Sequence, residues 1–115
     1  MDTRNKIVTA AEAAAAHSGS LVRGYFDPLA VAHVRRLEEL TKPVTILLDS
    51  PEQPLLPVAA RAELLAAVHA VKHVVIAEHG VPPEFAGMHM IDERSGDEQR
   101  LRELMDHVLA RQNAR

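Results

Sequence analysis

Three short apolar runs, separated by helix-patterned stretches, constrain this chain more than any other feature. Leu21-Val22-Arg23-Gly24-Tyr25-Phe26 is β-prone and bounded by glycine, which predicts a strand. Val44-Thr45-Ile46-Leu47-Leu48 is an almost unbroken apolar run of strand length, suited to a parallel strand covered on both faces. His73-Val74-Val75-Ile76-Ala77 is the third. Between the first two, Val31, Val34, Leu37 and Leu40 recur at roughly helical spacing, opened by Asp27-Pro28 and stopped by Lys42-Pro43. After the proline-rich loop from Asp49 to Pro57, Ala60, Leu64, Leu65, Val68 and Val71 form a second apolar helix face. Alternating strands and helices predict an α/β fold: a three-layer, Rossmann-like parallel sheet of four or five strands flanked by helices.

The remaining segments complete that plan. Ile7 to His17 is Ala-rich and reads as a helix ended by Ser18-Gly19-Ser20. After a second Pro and Gly loop, Met88 to Ile91 reads as a short fourth strand. Ser95-Gly96-Asp97-Glu98 fits a capping box, and Leu101, Leu104, Met105, Val108 and Leu109 give an amphipathic helix. With 115 residues and no linker, the chain reads as one domain over 1–115. A truncated α/β sheet leaves an edge strand exposed, so a homodimer is an expectation.

Composition removes several functions. Thirteen Lys and Arg against 16 Asp and Glu, with no basic block, argue against a nucleic-acid or anionic-membrane partner. The absence of Cys excludes a disulfide scaffold, a thiolate metal site and thiol catalysis. No apolar run reaches the length of a membrane span and no signal-peptide core is present, so a cytoplasmic location is expected. His69 and His73 are four apart and His79 follows, but His73 falls at the start of a strand and no third ligand completes a metal site.

In parallel sheets ligands bind beyond the carboxyl ends of the strands. Gly24 to His33 lies at such an end. Gly24 would let the backbone approach a ligand, or serve packing. His33 falls in the first turn of the next helix, where it could donate to a phosphate, or be partly buried. Asp27 beside Pro28 reads best as a helix cap. Arg61 could reach a phosphate, or pair with Glu63 or Glu52 at the surface.

The segment Gly24-Tyr25-Phe26-Asp27-Pro28-Leu29-Ala30-Val31-Ala32-His33 resembles the Gly-x-Phe-Asp-x-x-His-x-Gly-His signature of cytidylyltransferase-like nucleotidyltransferases. Gly24, Phe26, Asp27 and His33 match it. Lys6-Ile7-Val8-Thr9 with the Ala-rich helix resembles the lead-in of heptose-phosphate adenylyltransferases. Pro57 to Val68 resembles their following helix, including its arginine at Arg61, and Val71-Lys72-His73-Val74-Val75 takes the place of their next strand. The likeness spans roughly Lys6 to Ile76, about 60% of the chain. It implies joining a nucleotide to a phosphorylated small molecule with release of pyrophosphate, Mg²⁺ accompanying the nucleotide. It also implies a phosphate site of Gly24, Phe26, Asp27, His33 and Arg61, with His33 catalytic. The sequence departs from the signature at Ala30, which replaces its first His, and at Ala32, which replaces its Gly. Val22 stands where a Thr or Ser is common, and Lys72 replaces an Asp. The expectation is therefore a degenerate, catalytically impaired nucleotidyltransferase-like protein that binds a nucleotide or phosphometabolite. An active Mg²⁺-dependent transferase and a protein-interaction module are the alternatives.

Overall fold

All five residues from Val44 to Leu48 are buried, as a strand covered on both faces requires. In a computed structural model of the chain, which describes residues 2–96 and Asp106, this run is β2 (Val44–Leu48). It lies between β1 (Ser20–Gly24) and β3 (Val71–Ile76), and β4 (Ile91–Asp92) adds on the far side of β1. Every pairing is parallel, in the order β3-β2-β1-β4. The chain steps outward from β1 to β2 to β3, then returns across the sheet to β4. Its direction of travel therefore reverses between β1 and β4, and such reversals open a crevice at the strands' carboxyl ends.

Neighbouring strand residues point to opposite faces, which sorts the core into two clusters. On one face Val22, Ile46, Leu48 and Val74 pack with Leu37 of α2 (Val31–Glu39) and Ala62 and Leu65 of α3 (Val58–Ala66). On the other, Leu21, Leu47 and Val75 pack with Ala13 of α1 (Ala10–Ala15) and with Phe85. Helices on both faces make the expected three layers.

Several elements differ from their sequence reading. The first helix covers Ala10–Ala15, not Ile7 to His17. Thr9 caps it, accepting the Glu12 N–H at 3.2 Å and donating its hydroxyl to the Glu12 carboxylate. Ile7 and Val8 instead extend the sheet. Ile7 bridges Val74 in parallel, and the Val8 N–H donates to the Val74 carbonyl at 3.0 Å. β1 ends at Gly24, leaving Tyr25 and Phe26 in the turn. α2 starts at Val31, three residues beyond Pro28. α3 buries Arg61, Ala62, Leu65 and Ala66 and exposes Leu64, while Val71 belongs to β3. β3 spans Val71–Ile76 instead of His73 to Ala77, and β4 starts at Ile91 instead of Met88. Residues 94–96 are already helical, so a helix begins before Ser95 and not with Ser95 as its cap. The apolar stripe from Leu101 to Leu109 lies outside the described residues.

Both edges of the sheet are managed within the chain. The Ile7–Val8 segment covers part of β3, and β4 is two residues long. Protection of an edge therefore does not by itself call for a second copy. Among the described residues, no helix is long and apolar enough to cross a membrane.

Candidate functional site

The turn after β1 delivers the signature residues to the reversal point. Gly24 closes β1 opposite Leu48, and its carbonyl accepts the Asp49 N–H at 3.0 Å. Phe26 follows with φ of 47°, a conformation rarely taken by bulky residues. It is buried, with its ring edge-on to that of His33 at 5.2 Å. Packing holds this backbone in place.

Ala30 is the N-cap of α2 and has no side-chain oxygen to satisfy the helix's free amides. His33, in the first turn as expected, reaches back instead. Its Nδ1 accepts the Ala30 N–H at 2.9 Å, the role Glu plays in a capping box. An accepting Nδ1 places the ring proton on Nε2. The ring is buried rather than turned to solvent.

Asp27 is also buried but does not cap α2. Its carboxylate accepts the N–H groups of Leu55 (2.6 Å) and Leu56 (2.9 Å), stapling the β1 turn to the β2–α3 loop. Arg61 is 1% exposed and, among the described residues, pairs with no carboxylate, neither Glu63 nor Glu52. Its Nε donates to the Leu56 carbonyl (3.0 Å) and its Nη1 to those of Tyr25 (2.9 Å) and Asp49 (2.8 Å). Nη2 donates to Ser50 Oγ at 2.7 Å. Its fork thus locks two loops together above β1 and β2, which explains why a cation can be buried here.

Ala30 and Ala32 are both exposed and do not fill the crevice. Along α2, Phe26, His33, Arg36, Leu37, Leu40 and Glu93 line a cavity of about 20 Å³, room for one water. Arg36 bridges to Glu93 at 2.9 Å across its rim.

A second set of charged residues at the same strand ends escaped the sequence reading. Arg23 Nη2 donates to Asp49 Oδ2 at 2.8 Å, with both side chains largely buried. Arg94 Nη1 lies 3.7 Å from the same oxygen. Arg94 also grips Asp92 through Nε (3.0 Å) and Nη2 (2.8 Å). Those bonds hold the Asp92 carboxyl below its ordinary range and raise Arg94 in turn. The signal was present: an arginine inside an apolar strand must find a partner.

At the opposite end of the sheet the surface opens. A groove of about 650 Å³ is lined by His17, Ser20, Leu21, Leu40, Met88 and His89, among others. Among the described residues, no three His, Asp or Glu converge on a point that could hold a metal ion.

Fold and site together define a Rossmann-like α/β domain whose loops after β1 and β2 are tied together by Asp27 and Arg61. No family model matches the chain, and no curated protein matches it significantly.

Proposed function

We propose that the chain is a catalytically silent nucleotidyltransferase-like domain that binds a nucleotide or another phosphorylated small molecule beyond the carboxyl ends of β1 and β4. One observation carries the loss of catalysis. The two side chains that a transferase of this kind would turn to phosphate, His33 and Arg61, are engaged with the chain's own backbone. Losing one preorganised donor to a transition state costs about 3–4 kcal/mol, so losing two leaves little rate enhancement. Binding survives such losses better than catalysis does. The strand order supports the location, and exposed Ala32 leaves the first turn of α2 approachable.

Thermal unfolding against a nucleotide panel, with and without Mg²⁺, tests this reading, since a ligand of the native state raises the midpoint. The expected result is a shift that Ala32→Glu abolishes. That substitution suits a helix N-terminus but repels phosphate. Pyrophosphate release from CTP or ATP with a sugar phosphate would replace this reading with an active transferase.

A protein-interaction module is the second reading. Val31, Leu55, Ile76 and Val81 are 67%, 58%, 42% and 37% exposed, and all follow or flank strand carboxyl ends. Absence of any nucleotide shift would favour it. Light scattering then tells whether the partner is a second copy, since a mass near 12.6 kDa excludes one.

A further inference from the structure

The cluster of Arg23, Asp49, Asp92 and Arg94 is the feature that the signature residues do not account for. Three strands adjacent in the sheet, β2, β1 and β4, each bring a member of it to their carboxyl ends. It straddles the point where the chain reverses direction, on the sheet face shared with Leu21 and not the face packed by α2. Its bonding is lopsided. Asp49 Oδ1 accepts the Ser50 N–H at 2.7 Å, so only Oδ2 serves the two guanidinium groups. At 3.7 Å Arg94 is beyond hydrogen-bond reach of that oxygen. Arg23 Nε is buried with no hydrogen-bond partner, although a buried guanidinium N–H normally finds one. Arg61, which donates to the Asp49 carbonyl, adds a third cation, bonded among the described residues to neutral oxygens only. The Asp92 carboxylate is committed to Arg94, and Asp27 to backbone amides. Among the described residues donors thus exceed acceptors around Asp49, and the Arg94 side chain is one-third exposed.

We propose that Arg23 and Arg94 form an anion site for the phosphate end of a small ligand, with the Asp49 carboxylate as its built-in competitor. This rests on the reading of the domain as a binder of phosphorylated small molecules, and it names the residues that meet the phosphate where His33 and Arg61 do not. Two guanidinium groups suit a phosphate, which has several oxygens to accept charge-assisted bonds where Asp49 offers both of them the single oxygen Oδ2. The ligand phosphate takes the loosely held Nη1 of Arg94 and competes with Asp49 for the Arg23 guanidinium. Asp49, carrying the same sign of charge, opposes it and keeps affinity low.

Titration calorimetry with inorganic pyrophosphate at low ionic strength tests the site. The intact chain should bind saturably. Asp49→Asn should bind about tenfold tighter, and Arg94→Ala about tenfold weaker. Arg94 is partly exposed, so its removal leaves the fold intact, whereas Arg23→Ala tests the same site only if it folds. Arg35→Ala, an exposed arginine of α2, should bind like the parent and controls for overall charge. Absence of saturable binding, or equal affinity in the Asp49, Arg94 and parent proteins, overturns the proposal. If nucleotides shift the unfolding midpoint in a manner sensitive to Ala32→Glu but not to Arg94→Ala, this site fails while the broader reading stands. If no phosphate compound binds, both fail.

Discussion

The two ends of the sheet are built on opposite terms. At the carboxyl ends, loops that ordinarily open a ligand crevice are cross-linked by Asp27 and Arg61, and Arg23 pairs with Asp49. At the amino ends side chains also cross between elements, Ser20 donating to the Thr41 carbonyl and Glu38 accepting the Ala70 N–H, yet a groove of about 650 Å³ lies open. The difference teaches that a signature's spacing and a signature's chemistry are separable. Gly24, Phe26, Asp27 and His33 keep positions compatible with a phosphate site, yet three of their side chains are turned inward to hold the turn.

The sharpest way to break this contrast is to unlock the closed end. Arg61→Leu should destabilise the fold by about 3 kcal/mol or more, because it strands the carbonyls of Tyr25, Asp49 and Leu56 with no donor. Urea denaturation measures it. Arg61→Lys should recover little, since a point ammonium cannot serve four acceptors in a fixed fork. A loss under about 1 kcal/mol would mean the lock is ornamental.

At the open end the Gly19 turn comes next in size. Gly19 has φ of 76°, and a Cβ there would lie 2.8 Å from the Pro43 nitrogen and 2.9 Å from the Lys42 carbonyl carbon. Gly19→Ala should therefore cost about 2 kcal/mol. An equal cost at Gly80, where a Cβ meets nothing, would show that backbone conformation and not crowding decides. Asp27→Asn is expected to cost about 1–2 kcal/mol, because the amide's oxygen can keep one of the two loop N–H bonds while its NH₂ faces the other donor.

How far the sequence revealed this depends on whether a residue's partners are near it in the chain. β2 was legible because burial on both faces leaves its mark in the run itself. The parallel sheet followed from strands separated by helices. α1 was misread at its start because Ile7 and Val8 look like helix next to alanines, although Thr9-x-x-Glu12 marked the true cap. The site was harder. Asp27 finds its partners 28 and 29 residues away, and Arg61 reaches 36 residues back to Tyr25. Nothing local distinguishes a cap from such a staple, or a surface arginine from a buried one. The departures from the signature at Ala30 and Ala32 are visible in the sequence, whereas the internal contacts of Asp27 and His33 that hold the turn are not.

The smallest expected effect is one of pH, and it probes the sheet between the two ends. His73 pairs with Thr45 in the β2–β3 ladder, and its Nδ1 is buried without a partner. Burial, with nearby Lys72 adding to it, lowers its pKa from the ordinary 6.5, while Glu12 opposes the shift. The sign follows from proton counting. Above pH 6.5 the ring is neutral in both states and contributes no pH dependence. As pH falls through 6.5 the unfolded chain takes up a proton that the folded chain refuses, so stability drops until the folded ring also protonates. The slope from this group cannot exceed about 1.4 kcal/mol per pH unit. Denaturation midpoints between pH 7 and 5 should therefore fall more steeply in the parent than in His73→Asn. If the two profiles run parallel, the ring is hydrated in the folded state and the sheet face beneath α1 is wetter than its packing implies.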